Sequence, residues 1–188
     1  MTTFVLPGRH QPPHNDHLAL IRAALDVVPS PLLVGVVFQR APQGEPADAF
    51  EAEARAQHAP ERCPFTVAQR IELLETALDE TLPGRARDRV RVIPLPRPEA
   101  EWPLVQALLP GARAWIVPDV GESFDDAKAA FFRARGDRVL RVALRPTTDG
   151  RVVRSLLGDP ERLARHVPAG VARRIDLWRR TEDKEMTP

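Results

Sequence analysis

His14 and His17 stand three residues apart, just where an apolar run gives way to helix-like spacing. That interval puts two imidazoles on one side of a first helical turn. Gly8, Arg9, Gln11 and the pair Pro12-Pro13 come immediately before them. Gly8 lets the backbone turn tightly, and the prolines stiffen the entry to the helix. Two N–H donors beside a helix N-terminus, with the Arg9 guanidinium opposite, suit a polyphosphate. Two other readings stand beside this one. The pair could simply cap and pack a helix start, or His10, His14, Asp16 and His17 could form a zinc-type ligand set, although the two prolines work against their convergence. Asp16 by itself reads as a first-turn acid favoured by the helix dipole. Phosphate binding is the reading taken, and no metal ligand is assigned.

The elements that must position this loop follow from the apolar pattern. Phe4, Val5 and Leu6 read as a short strand, and Leu18, Ile21, Ala24, Leu25 and Val28 recur at helical spacing. Leu32 to Phe38 has the length and valine content of a strand buried on both faces. From Gln39 to Pro64 the pattern lapses, with Asp48 to Gln57 fit for a short helix, so this stretch reads as a functional flap. Thr66 and Gln69 have capping-box spacing, ahead of a helix that buries Ile71, Leu74, Ala77 and Leu78. Further strands are expected at Arg89 to Ile93, Ala112 to Val117 and Val139 to Leu144, alternating with helices at Trp102 to Leu109 and Phe124 to Arg135. The pattern predicts an α/β fold: a Rossmann-like open parallel sheet of five strands, helices on both faces, and a C-terminal helical tail. The tail, from Val152 to about Arg180, reads as two helices joined near Pro168. Residues 1–180 are expected to form a single domain and 181–188 a disordered or frayed end.

Composition narrows the classes. A chain of 188 residues with a formal net charge of +1 lacks the electrostatic footprint of a nucleic-acid-binding surface. Nothing reaches membrane length, and Thr2 to Pro7 is too short for a signal peptide, so a cytoplasmic protein is expected. Cys63, the one cysteine, excludes an internal disulfide framework and a thiolate zinc site. A homo-oligomer stays open. His58 in the flap is expected to face solvent, and His166 to mark a helix end.

The run Gly8-Arg9-His10-Gln11-Pro12-Pro13-His14-Asn15-Asp16-His17 resembles the GRFQPxHxGH signature of nicotinamide mononucleotide adenylyltransferases, of the archaeal type and of the bacterial enzymes fused to Nudix domains. Pro64 to Ile71 resembles the family's NPFTxxER segment. Trp102 resembles the position whose ring stacks on nicotinamide. Asp149-Gly150-Arg151-Val152-Val153-Arg154 resembles the SGTxIR motif that grips the triphosphate, and Gly158-Asp159 with Val167-Pro168 echoes the family's ending. Four positions depart from the pattern: His10 stands for Phe, Asp16 for Gly, and Asp149 and Arg151 for Ser and Thr.

The resemblance implies a nucleotidylyltransferase that moves AMP from ATP, with Mg2+, onto nicotinamide mononucleotide to give NAD and pyrophosphate. His14, His17, Arg9 and Arg154 would be the catalytic set. Gly8, Gln11, Asp16, Trp102, Asp149 and Arg151 would line the substrates. An acidic side chain at position 16 is expected to crowd the adenine and repel phosphate. The alternatives are a nucleotide-binding protein of this fold without turnover, and a transferase with another nucleotide or acceptor. Trp102 has core packing as its competing role, and Arg154 a place on a solvated arginine-rich face.

Overall fold

The computed structural model describes residues 2–29, 31–39 and 44–185. Part of the expected flap, residues 40–43, and the last three residues of the expected tail lie outside them. Five parallel strands form one sheet: β1 (Thr3–Gly8), β2 (Leu32–Phe38), β3 (Val90–Pro96), β4 (Arg113–Asp119) and β5 (Arg138–Ala143), in the order β3-β2-β1-β4-β5. The chain winds outward from β1 through β2 to β3, then returns to the other side of β1 for β4. This reversal makes a topological switch point between β1 and β4, where open α/β sheets bind ligands. The paired residues of β1 and β4 are Thr3 to Val5 against Arg113 to Trp115. Beyond them the two strands run on to Gly8 and Asp119 without pairing to each other, and Leu6, Pro7, Gly8 and Pro118 line a cleft there.

Alternation along the strands feeds two cores. Phe4, Leu6, Val34, Val36, Ala114 and Ile116 face one side. They pack there on α1 (Asn15–Val27), α3 (Val67–Thr81) and α9 (Ala169–Glu185). Val5, Val37, Leu95, Trp115 and Val117 face the other, under α5 (Trp102–Leu108) and α6 (Ser123–Ala134). Trp115 is fully buried and stacks on Phe132 at 4.0 Å between ring centres. Its indole N–H is satisfied by the Asp137 carboxylate at 2.7 Å, which is what allows a tryptophan to be used as core here.

Two strands run past their expected ends through prolines. β3 continues over Pro94 and Pro96, paired with Val36 and Phe38. It is an edge strand, where a missing N–H removes no ladder bond on the open side. β4 continues over Pro118, beyond its paired stretch with β1. The expected flap contains α2 (Ala49–Gln57), capped by Asp48, whose Oδ1 accepts from the Glu51 amide at 2.7 Å, and a 3-10 turn at Pro60–Arg62. A one-turn α4 (Gly84–Arg87) precedes β3.

The tail differs from the two helices expected. It forms α7 (Gly150–Ser155), the single-turn α8 (Pro160–Leu163) and α9. Asp159 accepts from the Arg162 amide and Pro160 takes the first helical position, so a new helix starts where continuation was expected. At the start of α9 the amides of Ala169 and Gly170 donate to the Glu80 carboxylate at 3.0 and 2.6 Å, an anion placed where the helix dipole favours it.

Candidate active site

A cleft of about 550 Å³ lies at the carboxyl edge of the sheet, with Gly8, His14, Thr148 and Arg154 on one wall and α2 across the top. Its size is that of a small-molecule site. His14 is the N-cap of α1 and is 8% exposed; His17 is the third helical residue. Their rings lie 3.8 Å apart between centres, and His10 lies 4.8 Å from His17. The sequence expectation that the two imidazoles share one side of the first turn therefore describes the geometry.

The local structure also sets the chemistry of His17. Its Nδ1 accepts the backbone N–H of His14 at 3.2 Å. An Nδ1 that accepts leaves the proton of a neutral ring on Nε2, so the outer edge of His17 is a donor. The ring is neutral because burial pushes its pKa well below the ordinary histidine value, with His14, His10 and Arg9 adding to the effect. His14 is lowered to about 4, chiefly by burial, against the opposing pull of Asp16 and with help from Arg154.

Arg9 and Arg154 supply the positive charge. Arg9 Nη1 donates to the carbonyl of Gln57 at the end of α2. Arg154 Nη1 reaches the carbonyl of Gln11 at 3.5 Å. Burial lowers the pKa of both, and each feels a repelling guanidinium: Arg154 acting on Arg9, and Arg62 acting on both. Cations crowded against one another in a cleft favour an anion between them.

The structure sorts the expected substrate-lining residues. Gly8 lines the cleft, and a Cβ there would sit 2.6 Å from His10 Nε2, so glycine makes room for that ring. Gln11 exchanges two hydrogen bonds with the backbone of Phe65, at 3.0 and 3.1 Å, and so joins the first loop to the start of α3. Asp16 lines the cleft, with its carboxylate bound to Thr147 and Thr148. Asp149 caps α7 by accepting from the Arg151 amide at 2.7 Å and pairs with the Arg151 guanidinium at 3.0 Å. The Arg151 side chain is 78% exposed, and the cleft is lined by Gly150 and Arg154 from this segment instead. Trp102 packs among Trp115, Phe131 and Phe132, with the Arg113 and Arg135 guanidiniums 5.2 and 5.3 Å from its ring centre. The aromatic side chains that do line the cleft are Phe50, Phe124 and Phe132.

Three participants were not expected. Arg70 is 4% exposed, and its Nη1 donates to the carbonyls of Arg9 and Val37 at 2.8 and 2.7 Å, holding the ends of β1 and β2. Its signal was present: position 70 falls on the same helical stripe as the buried Leu74 and Ala77. Arg97, 1% exposed, bonds Gln39 at 2.6 Å and pairs with Glu51 of α2 at 3.2 Å and with Glu99 at 3.4 Å. Burial raises the Glu99 carboxyl above its ordinary value. His58, expected in solvent, lines the cleft; burial and then Arg9 lower its pKa to about 3. Across the cleft mouth, Phe50 of α2 meets Phe124 and Phe131 of α6 at 5.4 and 5.6 Å, so the expected flap spans the site.

Among the described residues no three His, Cys, Asp or Glu side chains are placed to hold a metal ion. The donor set consists of ring N–H and guanidinium groups, which fit oxyanions. Among the described residues no helix is long and apolar enough to cross a membrane.

No protein-family model matches the chain, and no curated protein matches it in sequence. Solved structures resemble it in fold. One is a bifunctional NMN adenylyltransferase/ADP ribose pyrophosphatase from Francisella tularensis complexed with AMP and an Mn ion, at TM-score 0.54 and 16% identity over 84% of this chain and 42% of that one. A second structure of the bifunctional enzyme from that organism gives TM-score 0.56 and 17% identity with the same coverage. The chain thus spans less than half the length of these proteins. What they share with it is the fold.

Proposed function

We propose that the cleft binds ATP through its phosphates and transfers AMP to the phosphate of a mononucleotide, with nicotinamide mononucleotide as the first acceptor to test. The observation that carries this reading is the meeting of His14, His17, Arg9 and Arg154 at the switch point of the sheet. In the reaction an oxygen of the acceptor phosphate attacks the α-phosphorus of ATP, and pyrophosphate leaves with the bond electrons. No covalent enzyme intermediate is needed, so the protein contributes position and charge stabilisation. His17 Nε2–H and His14 would donate to phosphate oxygens, and Arg9 and Arg154 would offset charge as it moves to the leaving group. Mg2+ carried in with ATP would supply further charge neutralisation at the triphosphate, beside that of Arg9 and Arg154.

The experiment is incubation with ATP, Mg2+ and nicotinamide mononucleotide, followed for pyrophosphate and NAD. Equal release of both supports the reading. ATP binding without pyrophosphate makes the chain a nucleotide-binding protein of this fold, and no ATP binding defeats both. One observation favours a second reading, the same transfer with a different acceptor: Trp102, the position resembling the nicotinamide platform, packs into the Trp115 cluster, whereas the cleft presents Phe50 and Phe124. A panel of mononucleotides in the pyrophosphate assay separates the two.

A further inference from the structure

Asp16 stands where the resembled signature has glycine, and it is 7% exposed. Both of its oxygens are committed. Oδ1 accepts from the Thr147 hydroxyl, and Oδ2 accepts from the amides of Thr147 and Thr148, each bond at 2.8 Å. Burial alone would raise its pKa; the Thr147 hydroxyl and the two amides outweigh this and leave it below the ordinary carboxylate value. Hydrogen bonds to an ionised acceptor are among the stronger ones in proteins.

Those threonines lead directly into α7. Asp149 caps it, Gly150 faces the cleft, and Arg154 lies one turn on. Gly150 sits between the two halves of the phosphate site: a Cβ placed there would be 3.3 Å from Arg154 Nη1 and 3.8 Å from His14 Nε2. The approach of Arg154 to the histidines is therefore governed by how residues 147–150 are held against the first turn of α1. The neighbouring tie from Asn15, to the carbonyls of Arg165 and His166, reaches the chain beyond α7 and leaves 147–150 unheld.

We propose that Asp16 is a positioning residue that sets Arg154 against His14 and His17 for a triphosphate, a role that rests on the functional reading above. Its negative charge is spent on three donors of the loop, in place of the crowding and repulsion expected from a carboxylate at this position. Removing the side chain then weakens phosphate binding, the opposite of what relief of repulsion would do.

The test is a double-mutant cycle on the full chain, with inorganic tripolyphosphate as the ligand and calorimetry as the readout. Asp16→Ala and Arg154→Ala are each expected to lower affinity roughly tenfold, the scale of one lost charge-assisted bond. In the Arg154→Ala background, Asp16→Ala is expected to change affinity by no more than about twofold, because coupled sites are not additive. Asp16→Asn, which retains an acceptor oxygen, should fall between wild type and Asp16→Ala. A merely structural role would lower affinity by the same factor in both backgrounds and would overturn the proposal, as would unchanged or tighter binding by Asp16→Ala. If Asp16→Ala does not fold, Thr147→Val removes a single bond and takes its place in the cycle, with an expected loss of about threefold that also disappears without Arg154. Loss of affinity in Arg154→Ala but not in the Asp16 or Thr147 variants overturns this proposal alone. Failure of the wild type to bind tripolyphosphate overturns the functional reading and this proposal with it.

Discussion

Replacing His10 by Phe should stabilise the protein. The His10 side chain is 0% exposed, and neither ring nitrogen has a hydrogen-bond partner in the protein. A buried polar group without a partner costs about 1–3 kcal/mol. Phe removes that cost but is slightly larger, and the ring lies against Gly8, where even a Cβ would come within 2.6 Å. Overpacking of a tight site typically costs ~1–3 kcal/mol, so only part of the gain survives. The backbone of His10, at φ 51, is in the left-handed region with either residue and largely cancels from the comparison. A net gain of about 1 kcal/mol corresponds to a Tm higher by about 2–4 °C for a chain of this size. A second signature is the pH dependence. Burial, then Arg70, lowers the His10 pKa from 6.5 to about 3. The unfolded chain takes up a proton below pH 6.5 while the folded chain resists until about pH 3. The contribution of the neutral ring is therefore complete above pH 6.5 and is lost as the pH falls toward 3, at up to ~1.4 kcal/mol per pH unit. Thermal melts of His10→Phe and wild type between pH 4 and pH 8 should show a higher Tm and a shallower acid limb for the variant. A lower Tm with an unchanged acid limb would refute the argument, since the ring would then be satisfied in the folded state.

Arg70→Met removes the bonds to the Arg9 and Val37 carbonyls. At about 1.5–3 kcal/mol per charge-assisted bond, less what the apolar chain recovers, the expected loss is roughly 3 kcal/mol. Denaturant titration measures it, and a loss under about 1 kcal/mol would show that these bonds add little. Arg97→Met leaves Glu51 and Glu99 without their buried cation, and α2 should loosen over the cleft; faster hydrogen exchange at Ala49–Gln57 checks this, and unchanged exchange there contradicts it. A bound polyphosphate should raise the pKa of His14 from about 4, so at pH 6 ATP binding by wild type should take up more protons than binding by His14→Asn. Calorimetry in two buffers of different ionisation enthalpy reads the difference, and equal uptake would place His14 away from the phosphates.

Much of the architecture was legible because a doubly wound sheet writes its buried strands as apolar runs. Leu32 to Phe38 is the clearest case, matched residue for residue by β2. The first loop was legible for a related reason: glycine, two prolines and two histidines are rare company at a strand-to-helix junction. What escaped depends on context far along the chain. Pro94, Pro96 and Pro118 looked like strand ends, and only an open side lets strands run through them: β3 lies at the sheet edge, and Pro118 lies past the stretch of β4 that pairs with β1. The partners of Asp16 lie 131 and 132 residues away, so no local pattern could reveal that its charge is taken. His58 carries no mark of the cleft in its own neighbourhood; it faces inward because α2 crosses the site and docks Phe50 on α6. The sequence left Trp102 open between a stacking platform and core packing, and in the structure its ring packs against Trp115.

The central claim is that His14 and His17, neutral in the free protein, meet the phosphate oxygens of ATP. Nitrogen NMR of the histidine rings, recorded while ATP is added, tests it most directly. In the free protein His17 should carry its proton on Nε2 and accept at Nδ1, as its bond from the His14 amide requires. ATP should then shift the His14 and His17 ring nitrogens and leave His166 unmoved. Ring nitrogens of His14 and His17 that stay in place while ATP saturates the protein would contradict the account.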